Sequence, residues 1–415
     1  MNSQRVVITG MGAITPLGST VDTYWNGLIN GVSGIRKITQ FDASELPCQI
    51  AGEIPDFDPE LYIERKEIHR LPRSAQIGLA SAVQAMKDAG FPEIMPDAER
   101  SAVIYGTALG GMELFDQGIN SLRTLGINKV SPFTIPYGIP NLSAFLIAKR
   151  FQCLGPNSTI VTACATGTQT IGEATELIRR GKADVVITGG TESLISDYAV
   201  AGFCVMKAIP FNYNDDPQSA SRPFDANREG FVISEGAGTI IVESLEYALR
   251  RGAHIYAEVL GYSSTSDAFH IAQPDPSARG PIRAMRWALE DAGIPPSRID
   301  YINAHGTSTP LNDVNETKAI KNVFGDHAYK LAISSSKSMI GHAMGAAGTL
   351  EALACVKTFE HGIIHPTINY STPDPECDLD YVPNKARKQP IQYALSNSFG
   401  LGGQNACLVL KKYSN

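Results

Sequence analysis

Short β-branched runs that end in glycine, each followed by a segment with helical spacing, constrain this chain more than any other feature. Residues 6–9 run into Gly10, residues 102–105 into Gly106, and residues 185–188 into Gly189 and Gly190. Apolar runs of this length without polar alternation are those of strands buried on both faces. Between them, residues 75–90 and 167–180 carry the spacing of helices, and Gly181 is placed to close the second. Strand and helix in alternation predict an α/β architecture.

The second half repeats the scheme, with strands over residues 240–242, 255–260 and 300–304 and a helix over 280–293. Two stretches share a layout. Residues 158–163 lead into Cys164 and a helix, while 331–336 lead into Lys337, His342 and an Ala/Gly-rich helix from Met344 onward. We therefore expect two related halves, 1–252 carrying the cysteine and 253–415 carrying both histidines, with their strand-to-helix turns facing a common cleft; residue identity between the halves is too low to prove duplication. Residues 110–160 and 195–235 are rich in Pro, Gly and turn formers and fit neither half, as expected of a cap or a subunit contact.

Composition narrows the class. The formal charge is -7, with 43 % apolar and 19 % charged residues, so there is no global basic field for a nucleic acid. No apolar run reaches the roughly 18 residues of a membrane span. The opening residues have no charged and apolar signal pattern, and the seven cysteines lack C-x-x-C spacing, so a disulfide framework or structural zinc is not expected. A reducing cytoplasm is the expected compartment.

Cys164 falls where a buried strand turns into a helix, and a thiol there is expected to feel the helix dipole and free N–H groups that favour thiolate. Other cysteines have no such context and read as small buried hydrophobes. His305 follows a strand in the run N-A-H-G-T-S-T-P, and His342 lies in K-S-M-I-G-H-A-M-G-A-A-G, again between strand and helix. Either histidine alone could be a hydrogen-bonded turn residue. No third converging set of metal ligands is spaced for zinc, Asp313 and Glu316 following a helix start. A protease-like Cys–His pair would leave one histidine without a task. Two neutral imidazoles beside a thiol suit another reaction: they can donate to a thioester oxygen that becomes an enolate when carbon dioxide leaves a malonyl group, while the thiol holds the other reactant. The late run N-S-F-G-L-G-G-Q, starting at Asn397, is a tight turn or a mobile loop aiming backbone N–H groups at a bound oxygen.

Taken in order, V-V-I-T-G-M-G, T-A-C-A-T-G, S-R-P-F-D with E-G-F-V, N-A-H-G-T-S-T-P, K-S-M-I-G-H with G-A-A-G, and N-S-F-G-L-G-G resemble, from end to end, the beta-ketoacyl-acyl carrier protein synthases of the thiolase superfamily, synthase II type. The resemblance implies a thiolase-like five-layered αβαβα fold, a homodimer, and no cofactor beyond the phosphopantetheine that arrives on the carrier protein. It implies an acyltransferase of fatty acid elongation, condensing malonyl-acyl carrier protein with an acyl group on Cys164 and releasing carbon dioxide. By motif, His305 and His342 are the catalytic pair, Lys337 sets the electrostatics with Glu316 behind it, and Thr307 and Thr309 hold pantetheine. The backbone N–H groups of Cys164 and Leu401 form the oxyanion hole, without metal. Leu109, Thr134, Phe203, Phe399 and Leu401 are the acyl pocket and gate. The basic residues Arg65, Lys66, Arg70 and Arg73, with Lys129 and Lys207, would dock the acidic carrier protein. Leu401 and Thr134 stand where the family places phenylalanine, and Gln404 where Thr or His is common. These departures leave open a dedicated polyketide or specialised-lipid ketosynthase. A non-catalytic chain-length partner subunit, which would lack the nucleophile, and a degradative thiolase, which would use a second cysteine as base, fit less well.

Overall fold

In the computed structural model, which describes residues 4–414, ten strands form one continuous sheet. The first five are β1 (Val6–Ile14), β2 (Ser101–Gly106), β3 (Asn157–Ser158), β4 (Val185–Glu192) and β5 (Gly236–Ser244). The second five are β6 (Ala257–Ser266), β7 (Tyr301–Asn303), β8 (Ala332–Ser334), β9 (Tyr393–Gly400) and β10 (Gln404–Lys412). Their spatial order is β8-β7-β9-β10-β6-β1-β5-β4-β2-β3. Every residue of β1, β2, β4 and β5 is buried, which is why these strands read as unbroken apolar runs.

Read outward from the middle, each half uses its own strands in the same order: first, fifth, fourth, second, third. Directions repeat as well, since β2 runs parallel to β3 and β4 as β7 does to β8 and β9, and the fifth strand is antiparallel to its neighbours in both. The halves join through a short antiparallel contact, Val7 opposite Glu258 and Ile8 opposite Ala257. Shared topology thus records a repeat that residue identity does not.

Two helices lie between the halves: α2 (Thr166–Arg179), after Cys164, and α5 (Ala347–His361), after His342. Both touch strands of both halves, and α5 is buried on all sides from Ala347 to Phe359. Outside, α1 (Arg73–Asp88) covers β1 and β5, while α3 (Arg279–Ala292) covers β6 and β10 and packs against α4 (Pro310–Phe324). The result is the expected five layers, helix–sheet–helix–sheet–helix. The helices expected over 75–90, 167–180 and 280–293 are observed within two residues of those bounds, whereas the one expected from Met344 starts at Ala347 after a 3₁₀ turn. The strand expected over 158–163 shrinks to Asn157–Ser158, because this edge pairs only with β2. Among the described residues, no helix is long and apolar enough to cross a membrane.

Candidate active site

The two central helices explain why distant residues meet. A Cβ on Gly167 would lie 2.7 Å from the backbone N of Thr349, and one on Gly348 2.5 Å from that of Thr168. Only glycine lets the N-terminal ends of α2 and α5 approach this closely. Each helix is preceded by a 3₁₀ turn, Ala163–Ala165 and Met344–Ala346, and the first residue of each turn is left-handed, with φ 48° at Ala163 and 42° at Met344. Such backbone costs on the order of 1–3 kcal/mol at a non-glycine residue and persists only where surrounding packing enforces it. The strained turns present Cys164 from one half toward His342 of the other. His305 joins from the loop after β7.

One ligand atom each of Cys164, His305 and His342 lies within 4.8 Å of the others. The two imidazoles stand edge to face, centroids 5.4 Å apart at 84°. Phe399 flanks His305 and Phe231 flanks His342, at 5.8 and 5.5 Å. The Lys337 ammonium, which can only donate, lies 3.4 Å from Nδ1 of His305. That nitrogen therefore accepts, and Nε2 carries the proton. Neither ring nitrogen of His342 has a partner among the described residues, although both are buried. A buried polar atom without a partner is costly, and His342 lines a cavity.

Burial, with Lys337 close by, holds both histidines well below the ordinary 6.5, so they are neutral donors and stay so as the solution turns mildly acidic. For Cys164 the expectation of a favoured thiolate is overturned. Burial pushes the thiol up to about 11; the Leu401 N–H and Lys337 pull it down by less, and Glu192 and Glu351 oppose them. Full desolvation outweighs the dipole of a helix that begins two residues later. Alkylation of Cys164 by iodoacetamide is accordingly expected to rise about tenfold per pH unit from roughly pH 7 to 9 without a plateau. A plateau near neutrality would show a stored thiolate instead.

A second correction concerns the carboxylates. Lys337 pairs with Glu351 of α5, both buried, and not with Glu316. Glu316 lies behind His305: its oxygens accept from the backbone N–H of His305 at 2.9 Å and Gly306 at 2.8 Å, and from Asn397 at 3.1 Å. An acidic residue inside the otherwise apolar run A-G-T-L-E-A-L-A-C-V was the available signal for Glu351. Asn397 accepts in turn from the Cys407 thiol at 3.1 Å.

A cavity of about 400 Å³ reaches the three residues and is lined also by Thr307, Thr309, Phe399, Leu401 and Lys207. The hydroxyls of Thr307 and Thr309 lie 2.9 Å apart on its wall. At the bend that ends β9, a Cβ on Gly400 would come 3.2 Å from the Cys164 N, and the Leu401 N–H lies toward the Cys164 sulfur. Leu109, Thr134 and Phe203 do not line the cavity. Leu109 is 44 % exposed, Thr134 packs against Gly118, and Phe203 packs on Phe231. Of the basic residues, Lys207 is at the cavity wall, whereas Arg70 stacks over Phe133, near the segment carrying Lys129, and Arg65 and Lys66 pair with Glu60 and Glu64. Arg73 is turned inward in a two-pronged pair with the buried Glu235 and so leaves the docking set.

Three such ligand atoms could also hold a zinc ion, but a proton fixed on Nε2 by Lys337 makes His305 a donor there and not a ligand. The set can give hydrogen bonds to an oxygen held next to the sulfur.

Comparison with known proteins agrees with this geometry. Residues 3–248 match the family described as beta-ketoacyl synthase, N-terminal domain, and residues 256–371 the corresponding C-terminal domain. A 3-oxoacyl-[acyl-carrier-protein] synthase 2 of Synechocystis sp. is 48 % identical over 413 residues, covering 100 % of this chain and 99 % of its own. One from Staphylococcus aureus is also 48 % identical, over 411 residues and 99 % of each chain. Among solved structures, the ketosynthase of a type II polyketide synthase, in complex with its acyl-carrier protein and bound to a hexaketide, superposes with a TM-score of 0.91 at 36 % identity, covering 100 % of both chains.

Proposed function

Because this chain belongs to the beta-ketoacyl synthase family, we propose that it lengthens an acyl chain on acyl carrier protein by decarboxylative condensation in fatty acid elongation. The convergence of one thiol and two neutral imidazoles from opposite halves carries this reading. In the first half-reaction the Cys164 sulfur attacks the acyl thioester, and the Cys164 and Leu401 N–H groups receive the oxyanion. The thiol proton passes to the departing pantetheine sulfur, which leaves as the thiol. Malonyl thioester then enters past Thr307 and Thr309. Its thioester oxygen takes hydrogen bonds from Nε2–H of His305 and from His342. The bond to the carboxylate breaks, carbon dioxide leaves, and the electron pair remains as an enolate held by the two donors. The enolate carbon attacks the acyl-cysteine carbonyl, and collapse expels the Cys164 thiolate, which takes a proton from water to restore the thiol, giving beta-ketoacyl-carrier protein.

Purified protein given acyl- and malonyl-carrier protein should release carbon dioxide and form the beta-ketoacyl product in equal amounts. Release without product would overturn the reading. A dedicated polyketide ketosynthase of the same mechanism is the second reading, supported by Leu401 at the gate and by the 0.91 superposition. Ready use of medium and long saturated acyl groups favours elongation.

We also propose a homodimer of two-halved subunits, divided near residue 252, acting in the cytoplasm. Exposed Ile119, Leu122, Leu125, Phe133, Ile135 and Phe145 all belong to the segment that joins β2 to the open edge strand β3, and a second copy would cover them. All seven cysteines are free, which suits a reducing compartment. Lys207, at the cavity wall, is the cation best placed for an acidic carrier protein. Lys207→Glu should raise KM for carrier-bound substrate about three- to tenfold with kcat unchanged, the effect shrinking at high salt.

A further inference from the structure

Glu192 ends β4, is fully buried, and was absent from every sequence expectation. Its carboxylate holds together two segments that enter the site from different halves. Oε1 accepts from the Thr107 hydroxyl at 3.0 Å and the Leu109 N–H at 3.3 Å. Oε2 accepts from the Ala108 N–H at 2.6 Å and the Gly345 N–H at 3.2 Å. Gly345 lies in the strained turn that follows His342. Packing around the clamp leaves no slack: a Cβ on Gly345 would come 2.6 Å from the Ala108 N, and one on Gly190 2.2 Å from the Gly345 carbonyl oxygen.

Resting on the condensing reading above, we propose that Glu192 is a positioning residue that fixes the 107–109 segment, with Leu109 at its tip, against the turn behind His342. One carboxylate thereby couples the placement of the 107–109 segment, whose Ala108 packs against the apolar cluster around Cys164, to the placement of the donor that activates malonyl thioester. Burying a carboxyl group here is costly, and burial does push it up to about 7. Four donors converging from two segments offset that cost, as an apolar side chain could not.

The oxygens divide the work, so two variants separate it. Glu192→Gln keeps one acceptor for Ala108 and Gly345 but presents an NH₂ to Thr107 and Leu109. It should change the acyl-length profile, with kcat falling less than about tenfold. Glu192→Asp keeps the charge but is too short by one methylene to hold both segments. It should lower kcat about 10- to 100-fold, with KM for malonyl-carrier protein within about threefold. Alkylation of Cys164 gives a readout independent of condensation. The glutamine variant, lacking a negative charge near the sulfur, should react about two- to fivefold faster at fixed alkaline pH, and the aspartate variant should not. Wild-type kinetics and product profile in both variants would overturn the proposal. So would activity losses that merely track melting temperature, with alkylation unmoved. If the wild-type protein fails to condense, the functional reading falls, while the alkylation contrast still decides whether Glu192 acts on the site.

Discussion

Cys164→Ala should yield a folded protein that takes up no acyl group, forms no carbon–carbon bond, and still releases carbon dioxide from malonyl-carrier protein. The side chain removed is small and sits among Ile195, Phe231 and Met344 in an apolar cluster, so alanine costs little packing. Condensation should fall by at least about 10⁴, because no neighbouring group can replace the sulfur as acyl carrier. Decarboxylation needs only the two imidazole donors and leaves an enolate that takes a proton to give the acetyl thioester. His305→Ala and His342→Ala should show the reverse. Each keeps acylation of Cys164, visible as added intact mass, and loses carbon dioxide release about 10²- to 10⁴-fold. Loss of both activities in all three variants would mean that the residues act as one unit, and the division of labour proposed here would be wrong.

The convergence of these three residues was largely legible in the sequence because each sits at a strand-to-helix junction, and junctions are marked by local residue patterns. Gly306 follows His305, and Gly345 and Gly348 follow His342 at the positions where backbones must touch. The two-halved architecture was suggested by parallel layouts, but strand order, which is long-range, was needed to establish it. What was not legible is electrostatic. Cys164 was expected to favour thiolate from its helix, whereas the net effect depends on burial in an apolar cluster gathered from separate segments, among them Ile195, Phe231 and Met344. Glu351 and Glu192 went unseen for the same reason: a lone acidic residue in an apolar run carries no partner's name. Arg73 read as a docking cation because its partner, Glu235, is 162 residues away.

Lys337→Met should damage both stability and rate, and the two effects should separate. Lys337 is 1 % exposed and pairs with an equally buried Glu351, whose second oxygen has no hydrogen-bond partner among the described residues. Removing the cation leaves a buried carboxylate uncompensated, a cost of about 3–5 kcal/mol measurable by denaturant unfolding. Restoring the pair's balance with Lys337→Met and Glu351→Leu together should recover most of that loss, since replacing a buried ion pair by apolar side chains of similar volume is often close to neutral. Activity should not return with it. Without the ammonium at Nδ1, His305 is free to carry its proton on either nitrogen, and the Nε2–H donor that meets the malonyl oxygen is no longer enforced. Carbon dioxide release should stay about 10²- to 10³-fold below wild type in the double variant as in the single one. A double variant that regains stability and rate together would show that Lys337 serves only to neutralise Glu351. The tautomer argument, and with it the role of His305 as a fixed donor, would then fail.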